Sequence, residues 1–289
     1  MKQRALVAGS TGGIGGEIAR ILCERGWSLV LLNRNEGKGI EQAQLLTNQY
    51  PDVDVVPVQA DFMDLDTVRA ACASLAEEDL KLDALLSISG LLTATKTMSR
   101  QGFESHYAVN TLATYDLIRH SIPLLTRDQN EPPAVVLTMS SSTIHRVRNL
   151  DLDILANPDK IGGLAGAYAR SKLALTVMGA AWADELKAQN ILIRSVDPGP
   201  TMTPMIERGD GIPFIIKLLS PLLFKDASQQ AEKALNPLSP DAFGGRTGTF
   251  FAEGQEKNPP KPVMDRDLQS RLMKKLEQDA GPSSSRLQA

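Results

Sequence analysis

Cysteine and histidine are scarce in this chain of 289 residues, which contains two cysteines and three histidines. Cys23 and Cys72 both lie in helical patterns, and we expect buried, reduced thiols rather than a disulfide. No histidine has a second histidine or a cysteine at the spacing of metal ligands. We therefore expect no metal site, and we interpret His106, His120 and His145 as ordinary histidines.

The chain also lacks a strong charge of one sign and a long apolar run. Its formal net charge is -3, which gives no electrostatic reason to expect a nucleic-acid partner. The longest apolar candidate, 212–224, is interrupted by two prolines and a lysine, so no segment approaches the ~20 residues of a membrane span. Residues 1–4 run directly into an apolar strand pattern, which predicts no signal or transit peptide. We expect a cytoplasmic protein.

The chain opens on a strand pattern that turns through several glycines into a helical pattern. Residues 6–8 suit a strand buried on both faces, and isoleucines recur downstream at helical spacing. Gly9, Gly13 and Gly15 lie between the two patterns. Glycine allows a tight turn and the close approach of a ligand, and the helix N-terminus offers free N–H groups to a pyrophosphate. On this motif alone, a tight turn in some other α/β protein stays the alternative.

Strand and helix patterns alternate over most of the chain. This alternation predicts a doubly wound, mostly parallel sheet of about seven strands in three α/β/α layers. We expect a single domain over 1–256, with an irregular lid at about 201–225. We expect an extension over 257–289 that is partly helical, at about 267–279, and then disordered. The predicted strands cover 6–8, 28–33, 53–59, 82–89, 134–140, 191–197 and 248–251, and the predicted helices after the first cover 37–50, 65–80, 101–126 and 166–189.

A second stretch has residues suited to acid–base chemistry. Tyr168 and Lys172 are four residues apart in a helical pattern, so their side chains share one face. We expect the ammonium to lower the pKa of the phenol, which could then exchange a proton with a substrate oxygen near neutral pH. Upstream, a predicted strand ends in Ser140, Ser141 and Ser142, at the sheet edge where open α/β sheets bind their ligands. A serine hydroxyl there could bind a carbonyl or alcohol oxygen.

The glycine turn, the serine cluster and the tyrosine–lysine pair occur in an order that resembles the short-chain dehydrogenase/reductase superfamily over about 4–252. The length of the insert before Tyr168 is similar to that of the retinol-dehydrogenase-like branch. The resemblance implies a Rossmann-type fold and an NADP-dependent oxidoreductase that interconverts an alcohol and a carbonyl. It implies Tyr168 as the acid/base, Lys172 on the nicotinamide ribose, Ser141 (or one of its two neighbours) on the substrate oxygen, and Asn110 positioning a relay water.

The resemblance also implies a set of cofactor contacts. The second strand ends in Asn33-Arg34, where an acidic residue would favour NAD; an arginine suits the 2′-phosphate of NADP, although it could also be a plain solvated charge. The usual basic residue before the second glycine is replaced by Gly12, and the usual N-N-A-G is Ser87-Ile88-Ser89-Gly90. Asp61 could instead cap the next helix, although Asp64 is better placed. The implied contacts are Gly9, Ser10, Thr11, Gly13, Ile14, Gly15, Asn33, Arg34, Asp61, Phe62, Ser89, Gly90, Tyr168, Lys172, Pro198, Gly199, Thr201 and Thr203.

The expected partners are a small carbonyl or alcohol substrate, largely apolar, and a second copy of the chain. Relatives often pair through the helices that carry Asn110 and Tyr168, which implies a homodimer or homotetramer. The apolar segment 212–219 either covers the substrate or lies on a membrane surface, and its single lysine favours the first. Two rival functions are a catalytically inactive NADP-binding sensor or scaffold, and an enoyl reductase, which the short Y-x-x-x-K spacing disfavours.

Overall fold

A computed structural model of the chain describes residues 2–162, 166–201 and 224–282. Its sheet has the strand order β3-β2-β1-β4-β5-β6-β7-β8, and all neighbours are parallel except β7 and β8. The order reverses between β1 and β4, where open sheets of this kind form their ligand crevice. The strands are β1 Arg4–Ala8, β2 Ser28–Asn33, β3 Val55–Gln59, β4 Ala84–Ser87, β5 Ala134–Met139, β6 Ile191–Asp197, β7 Thr249–Ala252 and β8 Gln255–Lys257.

Helices cover both faces of the sheet, which confirms the predicted Rossmann-type, three-layer fold. They are α1 Gly13–Glu24, α2 Glu36–Gln49, α3 Leu65–Glu77, α4 Ser105–Tyr107, α5 Ala113–Leu125, α6 Ala167–Ala188, α7 Ala227–Leu235 and α8 Arg266–Ala280. The face covered by α3, α5 and α6 has the larger apolar cluster, and the face covered by α1, α2 and α7 has a smaller one.

Two strands, β2 and β6, have the bounds that their apolar runs predict. β2 and β6 begin and end at the predicted residues, and every residue of both strands is buried. Since both faces of a parallel sheet are covered by helices, such strands are buried throughout, and their apolar residues do not alternate with exposed polar ones. The short polar strand β8 at the sheet edge was not predicted, because it has only three residues and two of them are exposed.

One predicted helix is interrupted. The pattern over 101–126 predicts a continuous helix, but the structure has α4, a π-helical turn at Ala108–Leu112, and then α5. All five residues of the π-helical turn are buried. A π turn shifts the hydrogen bonds by one residue, and such turns are frequent at functional sites. Asn110 is at the centre of this turn.

The helix α8 packs against α6 and the neighbouring π turn. Leu268, Leu272 and Leu276 lie in the same buried cluster as the core residues of α6. At the far end of α8, Asp279 accepts a hydrogen bond of 2.7 Å from the Tyr107 hydroxyl. Residues 257–282 are therefore attached to the back of the helices that carry Asn110 and Tyr168. The disordered end is expected from Gly281, and its residues beyond 282 lie outside the described residues.

Arg194, in the middle of β6, is fully buried. Its guanidinium donates to five backbone carbonyls, four of them in the segment 237–242 and the fifth at Arg246. Burial lowers the pKa of this group, and the Glu256 carboxylate opposes that effect. The carbonyls replace the water that a buried cation needs. Arg194 thereby fixes the connection between α7 and β7.

The expected lid falls largely outside the described residues, but its two ends are described. Thr201 and Lys225 form an isolated parallel bridge, and the Lys225 N–H donates to the Pro200 carbonyl at 3.0 Å. The chain therefore leaves and re-enters the described structure at one place beside the sheet edge. Among the described helices, none is long and apolar enough to span a membrane.

Candidate active site

The glycine turn after β1 requires glycine at two positions. Gly9 has a φ of +87°, and a Cβ there would lie 2.7 Å from the Ser89 Oγ. A Cβ on Gly15 would lie 2.1 Å from the Gly9 carbonyl oxygen. Gly13 also has a positive φ of +52°, whereas a Cβ on Gly12 would have no neighbour within 4 Å. The turn is therefore tightly packed against Ser89, which follows β4, but it has open space beside Gly12.

Side chains from β2 and α2 fix the backbone of this turn through hydrogen bonds. The Asn33 amide accepts from the Thr11 N–H at 3.2 Å and donates to the Ser10 hydroxyl at 2.9 Å. Gln42 accepts from the same hydroxyl at 2.7 Å and donates to the Ser10 carbonyl at 2.7 Å. Asn33 was predicted as a cofactor contact, and in the structure its amide fixes the backbone that would meet the cofactor. Gln42 was not predicted, because one polar residue in a helix carries no distinguishing pattern.

The beginning of α1 fits a dinucleotide phosphate. Within the described residues, no side chain caps this helix at Gly12, and its first turn has no acidic residue. The N–H groups and the positive end of the helix dipole can therefore serve an anion. Ile14 lies half-exposed in the same turn. The glycine backbone leaves room for close approach, so the residues present are suited to NADP or NAD.

The expected adenine and ribose contacts line the neighbouring strand ends. Arg34 is exposed, and among the described residues its guanidinium has no ion pair or hydrogen-bond partner. The Asp61 carboxylate accepts from the Met63 N–H at 3.0 Å, while Asp64 caps α3 by accepting from Asp66. The expectation that Asp64 is the better cap is thus confirmed. The Phe62 side chain is buried in the core, so only its backbone can face a ligand.

Tyr168 lies in the first turn of α6 and meets the end of β5. Burial raises the pKa of the Tyr168 phenol above its usual value, the nearby Ser141 hydroxyl opposes this increase, and the Asp197 carboxylate adds to it. Ser140 is buried and bonded to Thr176 at 2.7 Å, whereas Ser142 is exposed. Ser141 is therefore the serine of the run whose hydroxyl acts on the pKa of Tyr168.

Lys172 lies one turn further along α6 and is buried. Its ammonium donates to the Met139 carbonyl at 2.7 Å. Burial lowers the pKa of Lys172 to about 8, and the Asp197 carboxylate opposes that effect. The expectation that Lys172 lowers the pKa of Tyr168 is wrong for this structure, because desolvation dominates at the phenol and Lys172 is not among the groups that shift its pKa.

Asp197, at the end of β6, is a buried carboxyl that was not predicted. It accepts a hydrogen bond of 3.0 Å from the Gly199 N–H. Burial raises its pKa, and the backbone N–H groups of Gly199 and Ser142 oppose the increase. Its charge acts on both Tyr168 and Lys172. The sequence signal that could have identified it is an acidic residue at the end of an apolar strand, directly before Pro-Gly.

Asn110 lies within the π turn with its amide fully engaged. Its Oδ1 accepts from the Leu91 N–H at 2.7 Å, and its Nδ2 donates to the Leu91 carbonyl at 3.0 Å and to the Ser171 hydroxyl at 2.9 Å. A Cβ on Gly90 would lie 3.3 Å from the Lys172 Nζ and 3.5 Å from the Asn110 Oδ1. The structure thus brings Asn110, Gly90 and Lys172 to one place, although the rest of N-N-A-G is changed.

The segment after β6 is fixed by α7. Gly199 has a φ of +83°, and a Cβ there would lie 2.8 Å from the Glu253 side chain. The Thr201 hydroxyl donates to the Gly199 carbonyl at 2.9 Å, and the buried Gln230 amide donates to the Pro198 carbonyl. Gln230 was not predicted, because it approaches only through tertiary packing. Thr203 lies outside the described residues.

Comparisons with known proteins identify chains of similar sequence and fold. A family model described as enoyl-(acyl carrier protein) reductase matches residues 8–221. The chain is 26% identical to "Short-chain dehydrogenase TIC 32 A, chloroplastic" of Brassica napus, over 93% of this chain and 85% of that protein. It is 28% identical to retinol dehydrogenase 12 of Bos taurus, over 86% and 77%. The solved RhlG/NADP active-site complex of Pseudomonas aeruginosa has the same fold, with a TM-score of 0.68 at 24% identity over 87% and 95%.

Proposed function

The chain belongs to the short-chain dehydrogenase/reductase superfamily and is an oxidoreductase, and we propose that it uses NADP to interconvert an alcohol and a carbonyl. The observation that carries the proposal is the convergence of Tyr168, in the first turn of α6, with the buried Lys172 one turn further on, whose ammonium donates to the Met139 carbonyl two residues before Ser141. This arrangement supports a hydrogen-bond donor at Ser141 and a proton donor at Tyr168 for one substrate oxygen.

In the reducing direction, Ser141 binds the carbonyl oxygen and Tyr168 gives it the phenolic proton. Bound NADPH would supply the hydride to the carbonyl carbon. Lys172 binds the nicotinamide ribose, and its ammonium returns a proton to Tyr168 through a water positioned by the π turn at Asn110. The raised pKa of Tyr168 keeps the phenol protonated near neutral pH, as a proton donor must be.

The preference for NADP rests on Arg34. Its exposed guanidinium has no partner among the described residues and lies next to Asn33 at the end of β2, where the adenosine ribose binds in Rossmann-type folds. A guanidinium binds a phosphate with paired, charge-assisted hydrogen bonds. The solved structure of the Pseudomonas aeruginosa protein is an NADP complex, which supports NADP as a cofactor of this fold.

We extend the proposal to the domain bounds and to the segment that would cover the substrate. The catalytic domain covers 1–256, the extension covers 257–289, and the segment 201–225 closes over a largely apolar substrate. The bridge between Thr201 and Lys225 supports a lid, because it fixes both ends at one place. We also propose that the protein is cytoplasmic and that it forms a homodimer or homotetramer. A sedimentation experiment that detects only monomer would exclude the oligomers.

The test is NADPH oxidation, with NADH in parallel, over carbonyls from small aldehydes through polycyclic ketones to retinal. The panel includes an enoyl thioester, because the matching family model is described as an enoyl reductase. Tyr168→Phe serves as the blank, since it removes the proton donor and keeps the ring. We expect carbonyl reduction that the substitution lowers by a factor of about 10²–10⁴, with NADPH affinity unchanged.

Three other outcomes would contradict the proposal. Turnover of the thioester alone would assign an enoyl reductase. Carbonyl turnover that survives Tyr168→Phe would remove the role given to Tyr168. Tight NADPH binding without turnover of any substrate would favour the sensor or scaffold of the same fold.

A further inference from the structure

Two buried titratable side chains lie beside the proposed catalytic residues but outside the mechanism. Glu104 and His106 flank Ser105, and all three are fully buried. One oxygen of Glu104 accepts from the His106 Nδ1 at 2.8 Å, the His106 N–H at 3.0 Å and the Ser105 hydroxyl at 2.9 Å. Burial disfavours the carboxylate, but the hydrogen bonds from His106 keep the pKa of Glu104 below its usual value. Because this oxygen already accepts from two other donors, we assign the proton of the contact with the imidazole to the His106 Nδ1.

This tautomer leaves the other ring nitrogen as an acceptor. A neutral imidazole has one donor and one acceptor nitrogen. The His106 Nε2 accepts from the Thr93 N–H at 3.2 Å. Thr93 belongs to the segment 91–95, which follows Gly90 at the end of β4. Asn110, four residues after His106, binds the same segment at Leu91.

The same imidazole also contacts the proposed acid/base residue. The rings of His106 and Tyr168 meet edge to face, with centroids 6.3 Å apart and an interplanar angle of 76°. Two residues near His106 also form hydrogen bonds to the insert that precedes α6. The Glu104 N–H donates to the Ala156 carbonyl at 2.8 Å, and the Lys96 ammonium donates to the Pro158 carbonyl at 2.9 Å. His106 is thus in contact with both Tyr168 and the segment 91–95.

We propose that His106, oriented by Glu104, is a positioning residue that fixes the segment 91–95 and the ring of Tyr168 for proton transfer. Its kinetic consequence rests on the proposed function. Proton transfer requires the phenol within hydrogen-bond reach of the substrate oxygen. A displacement of about 1 Å can cost a factor of about 10² in rate.

Two substitutions separate the two hydrogen bonds of the imidazole. His106→Gln has an oxygen near the position of Nε2 and can still accept from Thr93. His106→Asn has an amide nitrogen near the position of Nδ1 and can still donate to Glu104, but its side chain is too short to reach Thr93. Both variants lose the ring contact with Tyr168 and each keeps one of the two hydrogen bonds, so the sign of the difference between them shows which bond, to Thr93 or to Glu104, contributes more. His120→Gln is the matched control, since His120 lies on α5 beside Asp116 rather than beside Tyr168.

Three quantities are measured: kcat and KM for a carbonyl of the panel, the NADPH dissociation constant, and amide hydrogen exchange of residues 91–95. We expect His106→Asn to lower kcat about tenfold relative to His106→Gln and to raise exchange of residues 91–95, with NADPH affinity unchanged. The control should match the wild-type protein in all three. A general loss of stability would instead affect both variants alike and would not select residues 91–95.

Equal kcat and equal exchange in the Gln and Asn variants would overturn the proposal. Wild-type exchange in the Asn variant would also overturn it, whatever the kinetics. If the wild-type protein turns over no substrate, the proposed function fails, and the exchange comparison alone decides whether His106 fixes the segment. The two failures are therefore distinguishable.

Discussion

The two halves of the sheet edge provide a ligand with different kinds of groups. After β1 and β2, the expected cofactor contacts are mostly backbone, and the glycine turn is supported by amide side chains. After β4, β5 and β6, the contacts are side chains such as Tyr168 and Lys172, whose pKa values are set by burial and by neighbours. In the first half, cofactor binding depends on the space that glycines leave because they lack a Cβ atom. In the second half, the pKa values of the side chains depend on partners that are distant in sequence.

In the nucleotide half, which is the sheet edge after β1 and β2, the largest effect is expected from a single added methyl group. Gly15→Ala would bring a Cβ to 2.1 Å from the Gly9 carbonyl oxygen, so the turn must shift and NADPH binding should be lost. Such overpacking typically costs about 1–3 kcal/mol. Gly12→Ala is the matched control, because it has open space and an extended backbone. NADPH titration and urea unfolding measure both effects. Equal behaviour of the two variants would show that the turn tolerates side chains throughout.

In the catalytic half, which is the sheet edge after β4, β5 and β6, a pH profile tests the role of Lys172. Lys172 has a pKa of about 8, lowered by burial, and the proposed relay needs its ammonium. The kcat of reduction should therefore be level below about pH 7 and fall about tenfold per pH unit well above 8. The contribution of Lys172 to stability has the opposite sign. Its folded pKa is below the unfolded value of 10.5, so the unfolded chain binds more protons between pH 8 and 10.5 and stability rises there.

These two curves are measured on the same protein. Steady-state kinetics at saturating NADPH gives kcat, and urea midpoints at each pH give stability. A kcat that stays constant to about pH 10 would show that the charge of Lys172 is not used in the reaction.

A smaller effect is expected at the border of the nucleotide half. Arg34→Ala should raise the KM for NADPH about tenfold or more, since a hydrogen bond to a charged group is worth about 1.5–3 kcal/mol. The KM for NADH should stay unchanged, because NADH lacks the 2′-phosphate. Gly12→Arg provides the converse variant, with an added cation where the turn is open, and should lower the KM for NADPH. A parallel loss with both cofactors would identify Arg34 as structural.

The smallest effect is expected at the two thiols. Cys23 and Cys72 are free and buried, as predicted, and burial raises the pKa of each to about 11. Both should react with Ellman's reagent at a small fraction of the rate of a free thiol at about pH 8, since the thiolate is the reactive form. Unfolding in urea should expose both thiols, so that they react at the rate of a free thiol. Fast reaction of either thiol in the folded protein would indicate local opening of its helix.

The fold could be predicted from the sequence because its determinants are local. Apolar runs fixed the bounds of β2 and β6, and the glycine spacing located the turn after β1. The π turn at Asn110 left no trace in the apolar pattern, because a shift of one hydrogen bond changes no residue type. The partners Gln42, Asp197 and Gln230 reach the site only through tertiary packing. The pKa of Tyr168 was predicted with the wrong sign because spacing gives the neighbour of a phenol but not its solvation.

The attachment of α8 has a consequence for folding during synthesis. Tyr107 and its partner Asp279 are 172 residues apart, which ribosomes translate in roughly 10 to 30 s at about 5–20 residues per second. Helices form within microseconds, so the apolar face of α6 can exist well before Leu268, Leu272 and Leu276 are available to cover it. On the nascent chain this apolar face therefore stays uncovered until α8 has been synthesised.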